Sequence, residues 1–286
     1  MNGPDFKGAK PLCCWFLMVK RRRPKLGQHF LSDPRYCSRV ADALDLRPDD
    51  FVIEIGPGRG AVTGLLASRT RSVVAIELDS DLVEELCEKF HQTPNVEIIH
   101  GDVLLTDLGE ICRRHNMERC YVFGNLPYYI TSPIIHHVLG FATQVRAMGL
   151  LVQREVADRL VAQPGSRDYG YLTVFTRLYS SPRVVLQIPP GAFSPPPKVH
   201  SAFVRFEMQP GRREGSLKDE QKFLRFLKQS FIHKRKKLLN CLAPAHSRPR
   251  VEAELNRLGL SPQVRAEGLS LEQFIALFSG LREGAE

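Results

Sequence analysis

Apolar residues follow two rhythms along this chain. In roughly the first 165 residues, short apolar runs alternate with stretches whose apolar positions recur at helical spacing. The runs at 51–55, 73–77, 96–100, 120–124 and 148–152 predict buried strands, and the stretches at 61–68, 81–90, 108–115, 132–139 and 155–161 predict the helices between them. A further helix precedes the first strand. Ser32 or Asp33 can cap it, Pro34 suits its first turn, and its pattern runs to Leu46 before a turn at 48–50. Regular strand–helix alternation predicts an α/β fold with a parallel, doubly wound sheet and right-handed crossovers.

Beyond Gly165 the rhythm changes. Residues 171–178 read as a helix, while 183–188 and 200–207 alternate as strands do. Between those strands lies the proline-dense PPGAFSPPPKV, so an antiparallel hairpin on the sheet edge is expected. After Pro210 only helical spacing remains, in KFLRFLKQSF, RVEAELNRLGL and LEQFIALFSGL. The expected organisation is an extension at 1–24, an α/β domain at 25–209 and a small all-helical domain at 210–286.

Composition sharpens this only a little. With 43% hydrophobic and 25% charged residues in 286, the chain is ordinary globular protein of one large domain plus a smaller one. A net charge of +9 favours a polyanionic partner without specifying a fold. The seven cysteines include no CxxC pair, and the nine histidines form no HxxxH or HExxH array, so a reducing compartment and no metal site are expected. His136 and His137 read as helix surface. The apolar run 12–19 is too short to span a bilayer, and the basic run at 20–23 follows it, the wrong order for a secretory signal. A cytoplasmic protein without membrane association is therefore expected. Lys20, Arg21, Arg22, Arg23 and Lys25 read as a solvated tail or a phosphate-touching arm.

Candidate chemistry lies where strands end. In an open parallel sheet, ligands bind at the carboxyl ends of the strands near the point where strand order reverses. Gly56, Gly58 and Gly60 follow the first strand, and the helix expected to start near Ala61 would aim its free amides there. Glu77 ends the second strand, where its carboxylate could accept two ribose hydroxyls. A tight turn and a capping acid are the plain alternatives. The loop alone does not choose a cofactor, since Gly56, Gly58 and Ala61 also satisfy the relaxed dinucleotide pattern. Asp102, after the third strand, could accept from an adenine amino group. NLPY, residues 125–128, supplies an amide oxygen and backbone carbonyls whose direction the proline helps fix. Such acceptors could hold an exocyclic amine pyramidal, with its lone pair aimed at an electrophile, while Tyr128 offers a face to a flipped base.

These motifs together resemble the ribosomal RNA adenine N6,N6-dimethyltransferase family, which uses S-adenosyl-L-methionine. The resemblance covers roughly residues 24–280 and is carried by GQHFLSDP, VIEIGPGRGAVTGLL, VVAIELD, GDVL, GNLPYYITSPII, GAFSPPPKVHSAFVRF, SFIHKRKKLLNCL and VRAEGLSLEQFIAL. The last two segments are closer to the small-subunit enzymes than to the neighbouring branch that methylates large-subunit RNA and confers macrolide resistance. The resemblance implies a Rossmann-like, seven-stranded class I methyltransferase sheet with a C-terminal helical domain. It implies cofactor contacts at His29, Leu31, Gly56, Gly58, Glu77, Asp102, Val103 and Asn125; the family often has Asn where this chain has His29. It implies catalytic positions at Asn125, Leu126, Pro127, Tyr128 and Phe193, with Tyr128 and Phe193 stacking the target adenine. Lys198, Lys234, Arg235, Lys236 and Lys237 are the implied RNA contacts, with a solvated loop lysine and an exposed helix face as the plain alternatives.

The implied reaction places two methyl groups on each of two adjacent adenosines in a hairpin loop near the 3′ end of small-subunit ribosomal RNA, releasing S-adenosylhomocysteine. The implied partner is that RNA within a pre-ribosomal particle, met by a monomer. No metal, covalent intermediate or dedicated general base is expected, and Glu54 reads as orienting the glycine loop. Two other readings stay open at this stage: a non-catalytic assembly factor on the same fold, and a nicotinamide-dependent oxidoreductase. The second lacks a hydride-transfer acid or base in a persuasive place.

Overall fold

The computed structural model describes residues 29–127, 130–209, 219–233 and 235–283. The N-terminal extension, Tyr128 and Lys234 lie outside the described residues. The first described element is a two-residue strand, β1 (Phe30–Leu31), followed by α1 (Pro34–Ala43). Asp33 takes the cap, its side chain accepting from the Arg35 N–H at 2.9 Å, and Pro34 occupies the first turn as its fixed φ suits. The helix stops at Ala43 rather than at 46 because Asp45 turns the chain into the left-handed region, with φ 52°.

Alternation then proceeds as the apolar runs require: β2 (Phe51–Ile55), α2 (Thr63–Ala67), β3 (Ser72–Glu77), α3 (Ser80–Phe90), β4 (Val96–His100), α4 (Leu108–Arg114), β5 (Cys120–Asn125), α5 (Thr131–Gly140), β6 (Val145–Gln153) and α6 (Arg154–Val161). All five residues of β2 are buried, as expected of a strand covered on both faces. After α7 (Tyr171–Tyr179) come β7 (Ser180–Ile188), the short β8 (Phe193–Ser194) and β9 (Ser201–Met208). The remaining helices are α8 (Glu220–Ser230), α9 (Leu238–Leu242), α10 (Arg248–Arg257) and α11 (Leu271–Glu283).

Seven strands form one sheet in the order β4-β3-β2-β5-β6-β9-β7. The pairs β3–β4, β2–β3, β2–β5 and β5–β6 are all parallel. Winding runs outward from β2 toward β4, then returns to β5 on β2's other side, so the strand order reverses between β2 and β5. Ile55 lies opposite Gly124 in that pair, and the two strand ends open side by side. The expected late hairpin sits at the far edge. Ser181 meets Gln209 and Arg183 meets Glu207, an opposed order that only antiparallel strands give. Its connection is not a plain loop, because β8 leaves it to pair antiparallel with β1.

The chain divides into two compact units. One holds the described residues up to Val152 together with Val185–Arg205, and the other holds Gln153–Val184 with those from Phe206 onward. The sequence suggested a single crossing near residue 210. Residues 153–184 instead pack with the C-terminal helices through long-range bonds. Tyr169 donates its hydroxyl to the Leu269 carbonyl at 2.7 Å, Tyr179 donates to Glu220 Oε1 at 2.6 Å, and the Gly165 N–H donates to the Glu267 carbonyl at 2.7 Å. Among the described residues, no helix is long and apolar enough to cross a membrane.

Candidate active site

Five segments of the first unit converge at the carboxyl edge of β2 and its neighbours. The loop after β2 turns through positive φ at Gly56 (65°), Gly58 (59°) and Gly60 (67°), a conformation that side-chain-bearing residues rarely adopt. A Cβ on Gly56 would meet only the Asn125 carbonyl, at 3.8 Å, so the space over this glycine is open to a ligand. Gly58 is glycine for a second reason: a Cβ there would lie 2.6 Å from the Phe30 ring. Phe30 in turn carries the Arg59 guanidinium over its face, 5.5 Å from the ring centre.

The loop is held by two charged side chains. Glu77, at the end of β3 and only 4% exposed, accepts the Gly58 N–H at 3.1 Å on Oε2 and those of Leu78 and Asp79 at 2.8 and 3.0 Å on Oε1. Burial raises its carboxyl above the usual range against the pull of these three donors. Lys89, in the last turn of α3, donates its ammonium to the Arg59 and Gly60 carbonyls at 2.8 and 3.1 Å. The sequence pattern picked out Glu77 but not Lys89, whose spacing from the glycines carries no motif.

The following helix differs from expectation. It begins at Thr63 rather than near Ala61, because the left-handed turn at Gly60 delays it, and it has only five residues. Its N-terminus therefore adds little, and the loop's own backbone makes the cradle. Beneath the loop, Glu54 of β2 is 2% exposed, and burial pushes its carboxyl up to about 7. The nearby Thr63 hydroxyl and Lys89 oppose that shift, while Glu77 adds to it.

Asp102 ends the loop after β4. Its Oδ1 caps the short turn Val103–Leu105 by accepting the Leu104 N–H at 3.0 Å, and Val103 beside it is buried. On the other side of β2, Asn125 closes β5 and is half-buried. Its Nδ2 donates to the His29 carbonyl at 3.2 Å. Leu126 is buried, and the Pro127 carbonyl accepts the Ile130 N–H at 3.1 Å.

The β1–β8 ribbon is the feature that sequence reasoning missed. Phe30 pairs with Ser194 and Leu31 with Phe193. The Ser32 and Asp33 amides both donate to the Ala192 carbonyl, at 2.9 and 3.1 Å, and His29 Nδ1 bonds the Pro195 carbonyl at 2.7 Å. Segment 29–33 thus joins the proline-dense loop to Asn125. Two-residue strands lie below what alternation can reveal, so only GQHFL and GAFSPPP as motifs pointed here. Leu31 and Phe193 both lie in the hydrophobic core, 3% and 4% exposed. Leu31 therefore faces a ligand only through its backbone, and the Phe193 ring presents no open face in this conformation. Lys198 is exposed. In the second unit, Arg235, Lys236 and Lys237 are exposed in the connection between α8 and α9, not along a helix.

Glycine cradle, buried acid, strand-end Asp and strand-end Asn all meet at one switch point. The family profile described as "Ribosomal RNA adenine dimethylase" matches residues 19–283. The chain belongs to the ribosomal RNA adenine dimethylase family. It is accordingly an S-adenosylmethionine-dependent rRNA adenine dimethyltransferase. Among curated proteins, it is 42% identical over 264 residues to "Ribosomal RNA small subunit methyltransferase A" of Acidobacterium capsulatum, covering 92% of each chain. A protein of the same description from Geobacter metallireducens is 42% identical over 260 residues, covering 90% of this chain and 94% of that one. Among solved structures, the 23S rRNA methyltransferase ErmE is 29% identical with a TM-score of 0.70, covering 88% of this chain and 99% of that one. A dimethyladenosine transferase from Plasmodium falciparum, 23% identical, shares the fold at a TM-score of 0.77, covering 89% of this chain and 98% of that one.

As an adenine dimethylase, the chain fits its cofactor by its own residues. Open space over Gly56, the buried carboxylate of Glu77 and the strand-end Asp102 follow one another in the order the strands set, a chemistry that would suit such a cofactor. Among the described residues, no group of three His, Cys, Asp or Glu side chains could hold a metal ion.

Proposed function

We propose that this dimethylase transfers methyl groups to N6 of two adjacent adenosines in a 3′-terminal hairpin loop of small-subunit ribosomal RNA, giving N6,N6-dimethyladenosine during small-subunit biogenesis. The relatives at 42% identity support the small-subunit branch. The observation that carries the mechanism is the bond from Asn125 Nδ2 to the His29 carbonyl. It fixes which way the Asn125 amide points, and on this reading Oδ1 is the acceptor offered to the substrate.

S-adenosylmethionine supplies a sulfonium-activated methyl group when bound. The Gly56–Gly60 backbone, Glu77, Asp102 and Val103 would hold it, with the backbone of His29 and Leu31 along one side. Glu77 already accepts three N–H groups, so of about four lone-pair sites on a carboxylate one is left, enough for a single ribose hydroxyl rather than two.

Asn125 Oδ1 accepts one N6–H of the target adenine. The second falls to the Leu126 carbonyl, since the Pro127 carbonyl takes the Ile130 N–H. Two acceptors on one amine draw it out of conjugation, and its lone pair turns toward the electrophile. Held in this way by Asn125 and Leu126, N6 would take the activated methyl group while the bonding pair leaves with sulfur, and the extra proton on N6 would pass to water. Neither Glu54 nor Glu77 serves as base, because both are buried and Glu77 is bound to the loop. Positioning therefore supplies the rate. Tyr128 and Phe193 are proposed to stack the extruded base, and Phe193 would have to turn out of the core to do so. A hairpin loop suits this site because unpaired bases cost less to extrude. Lys198, Lys234, Arg235, Lys236 and Lys237 are proposed to contact RNA phosphates, within a pre-ribosomal particle met by a monomer in the cytoplasm.

The test is methyl transfer from labelled cofactor to small ribosomal subunits lacking the modification. Digestion should yield label in N6,N6-dimethyladenosine of small-subunit RNA. Label in large-subunit RNA instead would assign the chain to the branch that ErmE represents.

A further inference from the structure

The helical unit carries a cleft of which the reading above uses only Lys236, as a phosphate contact. Its volume is about 510 Å³, and its walls are Arg225, Lys228, Gln229 and Ile232 on one side and Asn240, Cys241 and Pro244 on the other, with His233 and Lys236 at the turn between. Residues 225, 228, 229 and 232 recur at helical spacing, so they share one face of α8 and its continuation. The opposite face is fixed in the core by Phe223, Phe226 and Leu227. The walls are tied together: Gln229 Nε2 donates to the Cys241 carbonyl at 3.1 Å, and Cys241 Sγ approaches the His233 carbonyl at 3.9 Å. The cleft is thus preformed.

Two observations define its occupant. First, the cleft is lined by Arg225, Lys228 and Lys236 with no carboxylate among its walls, and none of these cations forms an ion pair with a described residue. Several exposed cations elsewhere are paired, as at Arg113–Glu110, Arg159–Glu155 and Arg257–Glu254, whereas here three without a carboxylate partner surround one concavity. A group of unpaired cations around a concavity is complementary to an anion. Second, the cleft is lined mostly by carbon, and Ile232 is 63% exposed in the midst of those charges. A plain solvated basic face gives no reason to leave a large aliphatic residue there, and a duplex backbone would lie across the opening without using it.

We propose that this cleft binds one unstacked nucleotide of the substrate RNA, with the base against Ile232 and Pro244 and the flanking phosphates on Arg225, Lys228 and Lys236. Gln229 and Asn240 offer amide groups for the base edge. The proposal rests on the rRNA reading above and deepens it, giving the helical unit a single-strand site of its own. Binding there would require a segment unpaired in the target particle.

The experiment uses the full chain and a short fluorescein-labelled single-stranded RNA, with its hybridised duplex as comparison, in anisotropy titrations over a range of salt. Each phosphate contact with single-stranded RNA contributes about 0.7 to the slope of log affinity against log salt. The double variant Arg225→Ala/Lys228→Ala should lower that slope by about 1.4. Ile232→Ala should weaken single-strand binding roughly threefold to tenfold at unchanged slope and leave duplex binding alone. An unchanged slope in the double variant, or equal loss for single strand and duplex in Ile232→Ala, overturns the proposal. Ultraviolet cross-linking to unmodified small subunits should place an unpaired rRNA nucleotide on the peptide spanning 225–244. A cross-link to a ribosomal protein or to a paired nucleotide would overturn it too. Cofactor titration and methyl transfer by the wild-type chain, measured alongside, test the dimethylase reading separately, so failure of either is read on its own.

Discussion

Replacing Glu54 by Gln should make the protein more stable above neutral pH and remove a pH dependence that the wild type shows. Glu54 sits in β2 at 2% exposure, and its Oε2 has no hydrogen-bond partner among the described residues, nor does the Thr63 hydroxyl. Burial is the main cause that lifts its carboxyl from 4.5 to about 7. The sign follows from proton counting. In the unfolded chain the group ionises near 4.5, while the folded protein keeps the proton up to about 7. Across that window the folded state binds more protons, so stability falls as pH rises, and the loss is complete above 7. At about 1.4 kcal/mol per pH unit, the gap amounts to roughly 3 kcal/mol at pH 8. Gln has nearly the same shape and no proton to lose. Urea unfolding followed by circular dichroism between pH 4 and 8 should show the two proteins nearly equal at pH 4 and the variant more stable by roughly 3 kcal/mol at pH 8. Parallel curves over the whole range would refute the reasoning, because Glu54 would then ionise in the folded protein much as it does in the unfolded chain.

Gly58→Ala would place a Cβ 2.6 Å from Phe30 at a φ of 59°, so cofactor affinity by calorimetry should fall at least tenfold. Lys89→Met removes both bonds to the loop carbonyls, and a threefold to tenfold loss of cofactor affinity is expected, with the methyl-transfer rate at saturating cofactor changed less. His29→Ala should lower kcat about tenfold, because the imidazole bond to the Pro195 carbonyl steadies the backbone that orients Asn125. His29→Asn should recover most of that loss, since Asn Nδ2 can occupy the place of His Nδ1; equal defects in both variants would remove this role.

The sheet was legible because its signals are local and repeated. The inner parallel strands are largely buried on both faces and read as apolar runs, and the half-buried edge strand β4 still carries three apolar residues in five. The five strands therefore emerged within a residue or two, apart from the longer β6. Gly56, Glu77, Asp102 and Asn125 were legible as a set because chain alternation brings strand ends to one edge. What stayed hidden depends on distant partners. Lys89 clamps the loop from a helix, and nothing in its neighbourhood marks it. The β1–β8 ribbon joins residues some 160 apart through backbone bonds that no side-chain pattern encodes. Phe193 read as an aromatic platform, yet its partner Leu31 draws it into the core. The cleft beside Arg225 and Lys228 stayed hidden inside a stretch that read only as helical spacing, because only folding sets α8 against α9 and leaves Ile232 exposed between charges.

The central claim is that Asn125, oriented by the His29 carbonyl, holds the target amine for methyl transfer. Its most direct measurement is the yield of N6,N6-dimethyladenosine in small-subunit RNA by mass spectrometry, comparing wild type with Asn125→Ala at saturating cofactor and equal subunit occupancy. The account predicts two dimethylated adenosines with the wild type and a loss of at least a hundredfold in the variant, roughly 3 kcal/mol of transition-state stabilisation. Undiminished dimethylation by Asn125→Ala would contradict it.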